Sequence, residues 1–132
     1  MRDLFFPYKR VTSKVFGEVK IPVIKVFLCD GKEIGIDAIL DSGAVISVFP
    51  RSICDVIGIN FEKGEKASIR TATGEEIAIS VLRVNFKIGD FGFKAIVGFA
   101  ETEKIPYIIG RLDVFDELDI IFEKERVVLN KR

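Results

Sequence analysis

Histidine, glutamine and tryptophan are absent from the 132 residues, and there are only two cysteines. The missing histidine excludes the most. It removes the usual Ser-His and Cys-His nucleophile–base pairs, and it removes histidine-ligated metal sites. Cys29 and Cys54 are too few for a four-thiolate zinc centre, and nothing in the sequence demands that they pair, so two free thiols are expected. No metal and no cofactor are expected. An excess of either charge is also lacking: 20 Lys and Arg balance 20 Asp and Glu. Phosphate binding draws on a basic surplus, so no nucleic-acid partner is expected. The nearest basic run, "YKRVTSK" at 8–14, is short. No apolar run approaches the roughly 18 residues that cross a bilayer. The opening "MRDLFFPYKR" has neither the apolar core nor the small-residue cleavage site of a signal peptide. The expectation is a cytoplasmic protein with no membrane partner. Scarce amides with abundant Ile, Lys and Glu match the bias of thermophile proteins, which speaks to source and not to function.

What is present is apolar and strand-like. At 48% hydrophobic residues and 11% aromatic, the chain can bury a core of its own, and residues 1–132 are expected to form a single domain. The segment 15–40 is rich in Val, Ile and Phe and carries Asp30-Gly31 where a hairpin should reverse. Pro22 should break it near its start. Pro50 is placed to open a short helix and Gly58 to end it. Residues 66–100 predict further hairpins turning at Thr73-Gly74 and Gly89-Asp90, and "ETEKIPY" reads as a polar connection. "IIGRLDVFDELDIIF" predicts a strand, a glycine turn and a helix of about two turns. A last hairpin turns at Glu123–Glu125, where "FEKER" reads as a solvated turn with no part in a site. The aromatics Phe5, Phe6, Tyr8, Phe91 and Phe93 read as core or dimer packing. The fold class expected is all-β, mainly strands with two short helices, arranged as a compact barrel or folded sheet.

One stretch does not fit a purely structural reading. In "AILDSGAVISVFP", residues 38–50, Asp41 interrupts a run that is otherwise apolar, and a buried carboxylate is costly unless it is satisfied or used. Asp-Ser-Gly is also ordinary turn chemistry, and such a triplet arises by chance in about 5% of chains this long. Its surroundings are less ordinary. A small residue, Ala44, follows the turn. A second aliphatic-aliphatic-glycine turn stands at Ile108-Ile109-Gly110. Between them lies a hairpin with a small, polar tip, "TATGE" at 71–75.

These elements together resemble the retroviral-type aspartic proteases, the half-sized relatives of pepsin, and in particular the retropepsin-like proteins of prokaryotic cells. "FPYKRV…FGEV" is similar to the opening of that group, "ILDSGAVISVFP" to its active-site turn, "TATGE" to its flap and "IIGRLDVFDELDIIF" to its second glycine turn and helix. The resemblance implies a closed barrel of the acid-protease fold, in which each chain supplies one catalytic aspartate, here Asp41. Peptide hydrolysis by carboxylates needs a base to activate water and an acid to protonate the carbonyl oxygen, and two facing carboxyls sharing a proton supply both. With one such turn per chain, a homodimer would bring Asp41 against its own copy. By the same resemblance Ser42 would bond across the twofold axis, Gly43 would offer its amide to the carboxylate, and Ile108, Ile109 and Gly110 would support the Asp41–Ala44 turn from beneath. Thr71, Ala72, Thr73 and Gly74 would form a flap over a peptide or protein substrate bound as an added strand. The alternative is a catalytically silent dimerisation or peptide-binding module of the same fold.

The pattern departs from the family at one place. Retroviral enzymes often have an acidic residue directly after the Asp-Thr/Ser-Gly-Ala turn, paired with the arginine that follows the second glycine. Here Val45 occupies that place, so Arg111 needs another partner: Asp113, Asp116 or a group on a second subunit.

Overall fold

The computed structural model describes residues 3–132. Their strands are β1 (Leu4–Pro7), β2 (Lys9–Ser13), β3 (Gly17–Ile21), β4 (Val23–Asp30), β5 (Lys32–Leu40), β6 (Ser47–Pro50), β7 (Glu65–Arg70), β8 (Glu76–Ile88), β9 (Phe91–Ala100), β10 (Ile108–Ile109), β11 (Leu118–Phe122) and β12 (Arg126–Lys131). One helix, α1, spans Arg51–Ile57, a single 3-10 turn covers Phe61–Lys63, and an irregular helical segment covers Arg111–Phe115. The all-β class with few, short helices is therefore observed.

Alternation builds the central sheet. In β4, Ile24, Val26 and Leu28 point inward while Lys25 faces out, and in β5 Ile36, Ala38 and Leu40 do the same around Asp37. The outward pair Lys25 and Asp37 are register partners joined by an ion pair of 3.1 Å. The seven strands run in the order β4-β5-β10-β6-β9-β8-β7. A further antiparallel pairing, Phe27–Cys29 of β4 with Asn85–Lys87 of β8, closes six of them into a ring. Closure removes the free edges that β4 and β8 would otherwise offer. Phe49, Phe86 and Phe99 fill the interior, and Ile53, Cys54 and Ile57 of α1 cap it. Burial pushes the Cys54 thiol up to about 11, which leaves it protonated and unreactive near neutrality. Cys29 is also free.

Two smaller sheets flank the ring. β1-β12-β11 packs Val127, Leu129 and Leu118 against the core, with Phe6, Tyr8, Phe91 and Phe93 beside them and Phe5 left exposed under Arg126. The hairpin β2-β3 stands out from the body. Arg10 and Lys20 tie it to Glu125, and Lys20 holds that carboxyl below its ordinary value. The charged "FEKER" turn thus has a structural task that its alternating charges did not disclose.

The expected turns are in place. Asp30-Gly31 joins β4 to β5, Gly89-Asp90 joins β8 to β9, and residues 123–125 join β11 to β12. Pro22 separates β3 from β4, and its carbonyl accepts from Leu40 N at 2.9 Å. Helix α1 begins directly after Pro50 and ends at Gly58. The second helix differs from expectation. It lasts five residues and is broken inside, with Leu112 extended and Asp113 at φ 65°. The cause is a tertiary bond: the Asp113 carboxylate accepts from Ile96 N of β9 at 2.8 Å, which turns the backbone out of helical geometry.

Candidate active site

Asp41 follows directly after β5, where the buried Leu40 ends the strand and the chain turns outward. The backbone explains the Ser-Gly that follows. Asp41 Oδ1 accepts from Gly43 N at 2.9 Å, and Ala44 N donates back to Asp41 O at 3.1 Å, so the turn closes on its own carboxylate. Asp41, Ser42 and Gly43 are exposed, while Ala44 is half-buried. Among the described residues no cation lies within ion-pair distance of Asp41, and neither its Oδ2 nor the Ser42 hydroxyl makes a hydrogen bond.

The turn is held by the second glycine turn. β10 runs parallel to β5 and antiparallel to β6, so Ile108 and Ile109 lie beside Ile39 and Leu40, the residues that lead into the Asp41 loop. Asp41 N donates to Ile109 O (2.9 Å), Arg111 N to Ala44 O (2.9 Å) and Leu112 N to Val45 O (2.8 Å). Gly110 sits where the two loops cross. A Cβ there would lie 2.5 Å from the carbonyl carbon and oxygen of Ile46, and no such contact is sterically open. Its φ of −100° is available to any residue, so the requirement is one of space.

A fourth bond went unforeseen. Gly110 N donates to the hydroxyl of Ser47 at 3.0 Å, and Ser47 is completely buried. The signal was present in "AVISVFP": a lone hydroxyl in an apolar run needs a partner, and a neighbouring loop amide is a common one.

Across the cleft, β7 and β8 extend beyond the ring as a hairpin with its turn at 71–75. Thr71 N donates to Glu75 O (2.8 Å), Gly74 N donates to Thr71 O (2.9 Å), and the Thr71 and Thr73 hydroxyls bond each other (3.0 Å). Gly74 has φ 87°, a left-handed conformation that a glycine supplies at the tip. Ala72, Thr73 and Gly74 are exposed.

Between hairpin and Asp41 turn lies a cavity of about 580 Å³. Asp41, Gly43 and Ala44 form one end, Thr71 and Ala72 overhang it, and Val48, Ile69, Ile77, Ile105, Pro106 and Ile108 make an apolar lining. Of the residues singled out in the sequence, Asp41, Gly43, Ala44, Thr71, Ala72 and Ile108 thus share one cleft. Ser42, Thr73 and Gly74 lie outside its lining, and Ile109 and Gly110 lie buried behind it. Ile105 and Pro106 belong to what looked like a polar connection, and their place in the wall was not foreseen. Arg111 is exposed and has no ion-pair partner among the described residues. Asp113 is engaged by Ile96 N and Asp116 by Asp113 N, so neither compensates for Val45, which is itself 61% exposed. No group of three or more His, Cys, Asp or Glu among the described residues is placed to hold a metal ion, and no described helix is long and apolar enough to cross a membrane.

No family model and no curated protein matches the chain. Solved structures do. A retropepsin-like aspartic protease from Rickettsia conorii aligns over 98% of this chain and 99% of its own, with a TM-score of 0.67 at 16% identity. EIAV protease complexed with the inhibitor HBY-793 aligns over 76% of this chain and 88% of its own, with a TM-score of 0.55 at 22% identity. At these identities the likeness is one of architecture, and with the closed ring, the paired glycine turns and the overhanging hairpin it establishes that this chain has the retropepsin-like fold.

Proposed function

We propose that the protein is an aspartic endopeptidase that works as a homodimer, with Asp41 of each chain forming the catalytic pair. The observation that carries this reading is the state of Asp41. One oxygen is fixed by Gly43 N, the other is unengaged and no cation neutralises it among the described residues, and it opens into an apolar cleft beneath a hairpin. A carboxylate whose only role was to cap the turn would gain nothing from that setting.

Brought together by a twofold axis, two such carboxyls share one proton, because like charges at close range resist joint ionisation. The ionised member takes a proton from water as the water oxygen attacks the peptide carbonyl carbon. The protonated member gives its proton to the carbonyl oxygen. Collapse of the resulting diol breaks the C–N bond as the amide nitrogen takes up a proton, and the dyad returns to its shared-proton state. Ser42, whose hydroxyl has no partner among the described residues, would bond the opposite turn. Thr71–Gly74 would close over the substrate and exclude water, and the substrate would lie extended between flap and floor. Val45 beside the turn and Phe5, Ile121 and Phe122 on the three-stranded sheet are exposed apolar groups that a second copy would cover.

The test is Asp41→Asn. The amide oxygen can still accept from Gly43 N, so melting should stay within about 1 kcal/mol of the parent protein. Cleavage of a peptide library should fall by several orders of magnitude, as for residues that act as one unit with a partner. An unchanged cleavage rate with a lowered melting point would make Asp41 a turn residue only. Tight peptide binding by a parent protein that never cleaves would favour a binding module of the same fold.

A further inference from the structure

The loop joining β9 to β10, residues 101–107, is a wall of the cleft that has no strand pairing along its length. Ile105 and Pro106 face the Asp41 cleft. They also border a shallow, open depression of about 370 Å³, which Glu103 and Tyr107 line as well. The wall therefore has open space beside it. Its ends are fixed by backbone bonds, Glu101 N to Ala78 O at 3.2 Å and Ile39 N to Tyr107 O at 2.9 Å. Between those ends, the tertiary hydrogen bonds found among the described residues belong to Glu103. Its Oε2 accepts from Ser52 N at 3.1 Å and its Oε1 from the Ser52 hydroxyl at 2.5 Å.

Ser52 stands in the first turn of α1, and the reason for the bond is local. Pro50 occupies the capping position and has no side-chain acceptor, so the first-turn amides lack the partner that Ser, Thr, Asp or Asn would give. Glu103 supplies an acceptor from 51 residues away, and its negative charge suits a helix start. Helix α1 is itself immobilised by Ile53, Cys54 and Ile57 in the core. A loop with little support of its own is thereby tied, through the exposed Glu103, to a helix whose inner face is anchored in the core.

We infer that Glu103 is a positioning residue for the substrate cleft: acting through Ser52, it holds Ile105 and Pro106 at a fixed distance from the Asp41 turn and so sets the size of apolar side chain accepted beside the scissile bond. This inference rests on the peptidase reading. When the tie is cut, the wall is free to move into the space beside it. Contact with an aliphatic substrate side chain weakens, and a bulkier one gains room.

Glu103→Ala, Glu103→Gln and Ser52→Ala, each first checked for a native melting transition, test this with two readouts. The first is hydrogen exchange in the free protein at Ser52 N and Ile39 N. A cap that served α1 alone would change Ser52 and leave Ile39 as it is. A tie that holds the wall should also speed exchange at Ile39, whose acceptor is the carbonyl of Tyr107, by about tenfold in Glu103→Ala. Glu103→Gln should fall between, since its amide oxygen still accepts one of the two bonds. The second readout is cleavage of two peptides differing only in Leu or Phe beside the scissile bond. For Glu103→Ala, KM for the Leu peptide should rise about three- to tenfold with kcat nearly unchanged, and preference should shift toward Phe. Unchanged exchange at Ile39 in a folded Glu103→Ala protein overturns the tie, and faster exchange with unchanged preference overturns its role in selection. If the parent protein cleaves nothing, the peptidase reading and the selection claim fall together, while the exchange data still decide whether Glu103 holds the wall.

Discussion

Around Asp41, four hydrogen bonds cross between the 41–47 and 109–112 segments, whereas among the described residues the Thr71–Gly74 turn over the same cleft is bonded only within residues 71–75. The floor is further secured by Ile109, Gly110 and Ser47, all fully or almost fully buried. The roof has exposed side chains and one exposed cross-strand ion pair, Arg70 with Glu76 at 3.2 Å. Few buried contacts and locally closed hydrogen bonds mark segments that open at low free-energy cost. On the proposed peptidase reading, the contrast suits a site whose carboxylate would have to keep its aim while the cover let substrate in. It also says which substitutions should act through stability and which through substrate binding.

Gly110→Ala should break the floor most severely. The new Cβ would meet Ile46 backbone that cannot step aside without moving the Asp41 loop. A loss of about 3 kcal/mol in urea unfolding is expected, with cleavage abolished as well. A near-native stability would mean that the two loops are not locked at this crossing.

Ser47→Ala comes next. It leaves Gly110 N buried without its acceptor, and a cost of about 1–3 kcal/mol in the same assay is expected. Ser47→Thr keeps the hydroxyl but must place one more methyl in full burial, so it should fall between Ala and the parent.

Gly74→Ala should do least. Nothing lies within 4 Å of the added Cβ, and the only cost is the left-handed φ, about 1 kcal/mol. Its effect should appear in KM more than in melting, because on the proposed reading this turn would close over bound substrate. If this roof substitution destabilised the protein more than Ser47→Ala, the contrast between floor and roof would not stand.

The punctuation of the fold was legible in the sequence because it is local. Pro22, Asp30-Gly31, Pro50, Gly58 and Gly89-Asp90 act through their own backbone preferences, and each lies at the break, turn or cap expected of it. The Asp41 turn was legible for the same reason, since Asp41 and Gly43 bond each other. What could not be read depends on partners distant in the chain. The ring closes through β4 and β8, which pair Leu28 with Phe86, and no local pattern announces that register. The helical segment at 111–115 is distorted where Asp113 accepts from Ile96 N, and the loop carrying Ile105 and Pro106 is tied where Glu103 accepts from Ser52. Nor could residue types say that Arg111 would stand without an ion-pair partner among the described residues. A nearby Asp113 and Asp116 both looked eligible, and both are used by backbone amides.

The claim that one Asp41 from each of two chains forms a single catalytic pair is tested most directly by mixing subunits. Parent protein and Asp41→Asn protein should be combined in varying proportion at a fixed total concentration high enough to keep the chains paired, allowed to exchange, and assayed for peptide cleavage. If both carboxyls are needed, mixed dimers are inactive, and total activity should fall as the square of the parent fraction. Activity that falls in simple proportion to the parent fraction would mean that each chain works with its own Asp41 alone, which would contradict the shared dyad.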